Sequence, residues 1–521
     1  MGLSRRGFLH RLGAVGGYGA TYSAMLAMGL LAAPPALAMP QLPAALGTGR
    51  RVVVLGGGIS GLTAAYELER AGFAVTLLEA RERLGGRNWT LRGGSKIEMI
   101  GEADQTVAFS DGVYMNAGPA RIPSHHEHLL EYCRRLGVPL EVEINTTRSA
   151  LLASSKGGAP IQMRQAVNDT RGWISELLAK ALKRGALDQD LSAEEKEKLL
   201  PFLRSYGDLD AQHAFKGTER SGLLRHGGAA DQLAQARPPV PLKELLANDQ
   251  LSATLFEEAF DMQATMFQPV GGMDRIPAAF ERAIRSPIVR GAEVVKIRQS
   301  PNDVTVVYRE RASGAEKAVR ADFAIATLPL NILAKIDSDF DPAVRKALAT
   351  PIAVSTNKIG FEAPRFWERQ QIYGGISFVG GETSLVWYPS NDLHSARGLL
   401  LACYAAGPPA TRFAQRPIAE QIEIAKGVVA RLHPGHETAL SNPAVINWSK
   451  IPFSLGGYAW WGAPEGHIEA PAHRLLNAPQ GRVYFAGDNL TQFPAWQEGA
   501  VLSAHRVVGL IADRVRQRAA A

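Results

Sequence analysis

Between a β-branched run, Arg51-Val52-Val53-Val54-Leu55, and a segment of helical spacing, Leu62 to Leu68, lies Gly56-Gly57-Gly58-Ile59-Ser60-Gly61. These residue types suit a phosphate cradle. Gly56 permits a tight turn, Gly58 lets backbone N–H groups approach a pyrophosphate, and Gly61 allows helix and strand to pack closely. Ile59 and Ser60 open the helix whose N-terminus would face the anion. A second run, Ala74 to Leu78, ends in Glu79, 18 positions past Gly61, where a carboxylate would accept from a ribose diol. Ala80 and Arg81 follow. Gly85 and Gly86 then permit close approach, and Arg87 offers a forked donor to an anion. Near the other end, Arg482 to Phe485 reads as a strand leading into Gly487-Asp488. A helix follows from Ala495, Trp496 and Ala500 to about Arg516. The chemistry implied is the grip of a dinucleotide.

Strands alternating with helices at both ends predict an α/β fold, with α+β character between them. The chain has 521 residues, 21% charged and 46% hydrophobic, enough for several domains and an ordinary globular core. Its net charge of +7 includes Arg5, Arg6 and Arg11 and falls to about +4 without them. That excess is spread out, so nucleic acid is not expected as a partner. Residues 161–235 have helical composition, notably Glu176 to Leu182 and Glu194 to Leu200, and read as a helical insertion. Cys133 and Cys403 are the only cysteines and suit buried apolar positions better than a pair. His125, His126 and His128 lack an accompanying ligand in the sequence, so a helix start is expected there and no metal site. Residues 1–38 contain no Asp, Glu or Lys. Ser4-Arg5-Arg6-Gly7-Phe8-Leu9 has the form of a twin-arginine signal, and Ala36-Leu37-Ala38 that of a cleavage site. Cleaved export is the expectation, an uncleaved anchor helix the alternative.

The run Glu79-Ala80-Arg81-Glu82-Arg83-Leu84-Gly85-Gly86-Arg87 resembles the extended nucleotide motif of the flavin amine oxidase superfamily, and Ala486-Gly487-Asp488 resembles its C-terminal motif. The usual acid at position 488 is Glu; Asp is one methylene shorter. Gly291 to Ile297 resembles the family strand in which a valine, here Val295, meets the adenine. Ala321 to Pro329 resembles the later strand with its Thr-x-Pro turn. The resemblance implies bound FAD in a Rossmann-like domain assembled from residues 45–115, 272–330 and 468–517. An antiparallel-sheet substrate domain would comprise 116–160, 236–271 and 331–467.

Met115-Asn116-Ala117-Gly118-Pro119-Ala120-Arg121 resembles the L-amino-acid oxidase segment whose arginine grips the substrate carboxylate. Ala120 and Arg121 would also lie against the cofactor. A planar guanidinium suits a carboxylate; an internal ion pair is the alternative use of Arg121. By the same resemblance Tyr388 would give the carboxylate a second donor, unless it is simply core. Lys358 would hold a water at flavin N5 as the catalytic group, unless it is a surface lysine. Tyr458, Ala495 and Trp496 would wall the substrate. Tyr458 belongs to Pro452 to Trp461, which resembles the family's Ser-x-Gly-Gly loop. The resemblance thus implies oxidation of L-amino acids to 2-oxo acids by hydride transfer to flavin N5, with ammonia and hydrogen peroxide released. Dioxygen and a small amino acid would be the reactants, the twin-arginine machinery a transient partner, and the periplasm or exterior the destination. The mature form would have no stable membrane span, and a homodimer is compatible with it. An amine or polyamine oxidase, an amino-acid 2-monooxygenase and a non-catalytic flavoprotein are the alternatives.

Overall fold

β1 (Arg51–Leu55) is buried at four of its five positions, which is why its sequence is continuously apolar instead of alternating. It runs into α1 (Ile59–Arg70) and back through β2 (Ala74–Leu78). Next come α2 (Glu127–Arg135), then α3 (Met163–Lys183) and α4 (Ala193–Gly207) in the region expected to be helical. Ser192 and Glu195 close a reciprocal cap at the start of α4. β3 (Ile288–Val289) and β4 (Phe323–Ala326) precede β5 (Thr356–Pro364), β6 (Ser384–Trp387), β7 (Arg397–Ala406) and β8 (Ser441–Asn447). β9 (Val483–Phe485) leads to the terminal helix α5 (Gln497–Ala520).

This computed structural model describes residues 39–462 and 470–520. The expected export segment and residues 463–469, which straddle the expected boundary at 467/468 between substrate and FAD domains, lie outside the described residues. Leu42–Ala521 form one compact unit. Its nucleotide sheet is fully parallel, ordered β3-β2-β1-β4-β9, with strands from the start, middle and end of the chain. Their C-terminal ends, where α/β sheets bind ligands, share one edge.

The second large sheet has seven strands, antiparallel at every pairing but one, and β8-β5-β7-β6 are consecutive in it. β5 is buried at every position but Pro364. Alternation sends Ile359 and Phe361 into an apolar core, while Thr356 and Lys358 line a cavity on the other face. A register shift between Ile359 and Gly360 breaks the β5–β7 ladder beside Lys358, which stands opposite Tyr404. Cys133 and Cys403 are buried free thiols. No helix among the described residues is long and apolar enough to cross a membrane.

Candidate active site

A cavity of about 450 Å³ runs from the glycine turn after β1 to the start of α5. Gly56, Gly58, Ile59, Ser60, Glu79, Ala80, Arg81, Gly86 and Arg87 line it, as do Val295, Gly487, Asp488, Ala495, Trp496 and Ala500. Glycine is needed at two of these turns for different reasons. Gly56 has φ +105°, and Gly61 is pressed under the turn, where a Cβ would lie 1.9 Å from the Gly56 carbonyl oxygen. A Cβ on Gly58, in contrast, would meet no atom within 4 Å. The Ser60 hydroxyl is buried without a hydrogen-bond partner. An open glycine beside an orphaned donor at a helix N-terminus fits an incoming pyrophosphate. The Glu79 carboxylate accepts from the backbone N–H groups of Gly57 (2.8 Å) and Arg81 (2.9 Å), so it also braces the turn.

Arg81 and Arg87 hold protein as well as facing the cavity. Arg81 donates to the Pro452 carbonyl (2.5 Å) and the Ser454 hydroxyl (2.8 Å), tying the first motif to the loop at 452–461. Arg87 is ion-paired with Asp488 and donates to the Gly457 carbonyl (2.9 Å). Its fork is therefore engaged, and it joins the two nucleotide motifs. Asp488 accepts in addition from the Ala495 N–H at 2.9 Å. Asn88 and Gln497, hydrogen-bonded to each other at 2.5 Å, also line the cavity; the sequence reading did not single them out.

At the far end, Lys358 is 3% exposed and donates to the carbonyls of Asn116 (2.9 Å) and Gly118 (2.5 Å). Burial, reinforced by Arg121, depresses its pKa to about 7, so the amine loses its proton near neutrality. Its ammonium lies 5.0 Å from the Tyr404 ring centre. Tyr458 and Trp496 line this end. Trp461 turns away and donates its indole N–H to the Asn489 carbonyl, leaving Trp460 on the opposite side of the strand.

Three sequence expectations need correction. Tyr388 does not face this cavity: its hydroxyl is bonded to Ser377 (2.9 Å) and His433 (2.7 Å) inside the core of the second sheet. Tyr404 is the tyrosine brought to the cavity instead, by its register opposite Lys358. Alternation along Leu399 to Ala405 puts Tyr404 on a face that a local motif search does not weigh. Ala120 lines a smaller neighbouring cavity, while Ala117, Gly118 and Pro119 form the wall assigned to it. Arg121, expected against the cofactor, lies one layer back. Its guanidinium is 4.7 Å from the Trp387 ring centre and donates to the Asn145 side chain. Burial lowers its pKa, and among the described residues no carboxylate lies within ion-pair distance of it. The nearest acid in its field, Glu143, is 1% exposed, accepts from the Trp387 indole (3.1 Å) and is pushed up to about 7 by desolvation.

A parallel dinucleotide sheet whose cavity ends in a buried lysine and an aromatic wall defines a flavoprotein oxidoreductase. The chain belongs to the flavin-containing amine oxidoreductase family, whose profile matches residues 59–512, and its cofactor is FAD. It is 28% identical over 493 residues to the flavin-dependent L-tryptophan oxidase of Lentzea aerocolonigenes, covering 89% of this chain and 98% of that one. It is also 28% identical over 472 residues to an L-amino-acid oxidase of Siganus canaliculatus, covering 88% and 85%. Among solved structures, cyclohexylamine oxidase from Brevibacterium oxydans shares the fold, with a TM-score of 0.60 at 17% identity, covering 90% of this chain and 99% of that one.

Proposed function

We propose that this flavin-dependent amine oxidoreductase is an L-amino-acid oxidase, converting its substrate to a 2-oxo acid, ammonia and hydrogen peroxide. The observation that carries the reading is Arg121: a guanidinium depressed by burial, behind the reacting end of the cavity, with no carboxylate among the described residues in ion-pair range. Removal of a cation from water is costly without an anion, and an α-carboxylate would supply one bidentately. Tyr404 lies within the same field and would offer a hydroxyl to that carboxylate. Glu143 is a weak counter-charge, since desolvation keeps it close to half-protonated at neutral pH.

The chemistry FAD supplies when bound is two-electron oxidation of the substrate C–N unit, with dioxygen as final acceptor. The chain's own work is positioning. Arg121 and Tyr404 would fix one end of the substrate, and Tyr458 and Trp496 would confine its amine and exclude water. Lys358, neutral above about pH 7, would hold a water or a proton at Nζ. The twin-arginine pattern further supports export, already folded, to the periplasm or exterior.

The test is a peroxide-coupled screen of purified holoenzyme against L-amino acids, D-amino acids and simple amines, repeated with Arg121→Lys. Turnover of L-amino acids, with a KM raised at least tenfold in the variant, is expected. Turnover of amines but not amino acids, or an unchanged KM, would refute the carboxylate clamp. Release of an amide would place the chain among the 2-monooxygenases.

A further inference from the structure

The structure gives the paired histidines the companion that the sequence did not. One ligand atom each from His125, His126 and Asp261 lie within 4.8 Å of one another, and His125 Nε2 is already 2.8 Å from Asp261 Oδ1. The two segments are more than a hundred residues apart, one at the start of α2 and the other beyond a 3₁₀ turn at Leu251–Glu258. His126 is 1% exposed, and its Nε2 has no hydrogen-bond partner. An orphaned ring nitrogen at such depth is uncommon in a finished hydrogen-bond network.

We propose that His125, His126 and Asp261 form a binding site for a divalent transition metal of zinc type beside the substrate chamber. Two imidazoles and one carboxylate suit zinc and its neighbours, whereas calcium and magnesium prefer all-oxygen shells. Tetrahedral bonds of about 2.0 Å put ligand atoms roughly 3.3 Å apart, so closure of His126 on the other two by up to about 1.5 Å, with a slight opening of the His125–Asp261 pair, completes the site. Asp261, with its side chain 37% exposed, has room to make that movement. The His126 ring meets that of His125 edge-on at 4.7 Å, which keeps the two imidazoles together. Asp261 and Glu498 both lie in the field of His126 and would offset a dication, while His125 is the facing imidazole. The His126 ring meets Trp496 edge-on at 5.0 Å, so an ion here would stiffen a wall of the chamber without touching the reacting atoms.

The experiment uses tag-free holoenzyme dialysed against a chelator and then equilibrated with zinc chloride. Bound metal is measured by elemental analysis and unfolding by flavin fluorescence. One equivalent of zinc per chain and a raised melting temperature are expected, with magnesium producing neither. Asp261→Asn and His125→Gln should each weaken zinc binding at least about tenfold while retaining flavin and metal-free turnover. Substoichiometric zinc, equal retention of magnesium, or unchanged zinc affinity in both variants would overturn the assignment.

Discussion

Replacing Gly58 and Gly61 by alanine, one at a time, separates cofactor contact from packing within four residues of chain. Gly58 has φ −74° and ψ 177°, extended backbone that alanine adopts without strain. Its added methyl would meet no protein atom and would stand in the cavity. Gly58→Ala should therefore leave the protein's own stability unchanged, or raise it by ~0.4–1 kcal/mol through the unfolded chain. Displacing a pyrophosphate by the width of a methyl removes at least one charge-assisted hydrogen bond, worth about 1.5–3 kcal/mol. FAD affinity should then fall about 10- to 150-fold. Gly61→Ala behaves differently. Its methyl would lie 1.9 Å from the Gly56 oxygen and 2.9 Å from Thr327 Oγ1, forcing α1 off β1. The cost, about 1–3 kcal/mol or more, falls on the fold itself. Flavin retention after gel filtration, titration with FAD, and melts at saturating FAD distinguish the two. FAD bound as tightly by Gly58→Ala as by the parent would refute the placement of phosphates over this turn.

Tyr404→Phe should raise KM for amino acids with a smaller effect on kcat. Tyr388→Phe should leave KM unchanged but destabilise by about 1–3 kcal/mol, because buried Ser377 and His433 each lose a partner; steady-state kinetics and chemical denaturation check both. Lys358, with a folded pKa near 7 against 10.5 when exposed, binds fewer protons folded than unfolded between those values. Stability from this group is therefore fully present above pH 10.5 and declines as pH falls toward 7, by up to ~1.4 kcal/mol per pH unit. Lys358→Met should remove that slope from denaturation curves compared across pH 7–10; identical slopes would disprove the burial argument. Arg87→Ala should loosen FAD and free Asp488 together, because both motifs share that ion pair; flavin release in mild urea would report it.

The nucleotide half was legible because its logic is local. Gly56 to Glu79 is one strand, one turn, one helix and one strand, and each constraint lies within a few residues of the group it positions. Lys358 was reached only through the family resemblance, since a lone lysine in an apolar strand does not by itself say which way it faces. Tyr404 was missed because its place depends on the antiparallel register of β5 and β7, interrupted by an irregularity that no short window reveals. Tyr388, two residues after Val386 and at the end of its own strand, invited the opposite error. The pairing of Arg87 with Asp488 and the meeting of Asp261 with two histidines were invisible for the same reason. Contacts across hundreds of residues leave little imprint on either partner's local pattern.

The parallel sheet has a consequence for how the protein is made. β9 flanks β4, and the Arg87–Asp488 pair that closes the cofactor seat joins residues 401 positions apart. A growing chain would already have β1, α1 and β2 long before β9 and α5 emerged, so its nucleotide edge would stay unfinished until those last two elements were made. Contacts of such sequence separation form late and slowly. Flavin capture would then follow the pairing of β9, and until that pairing β4 presents an open strand edge to other chains.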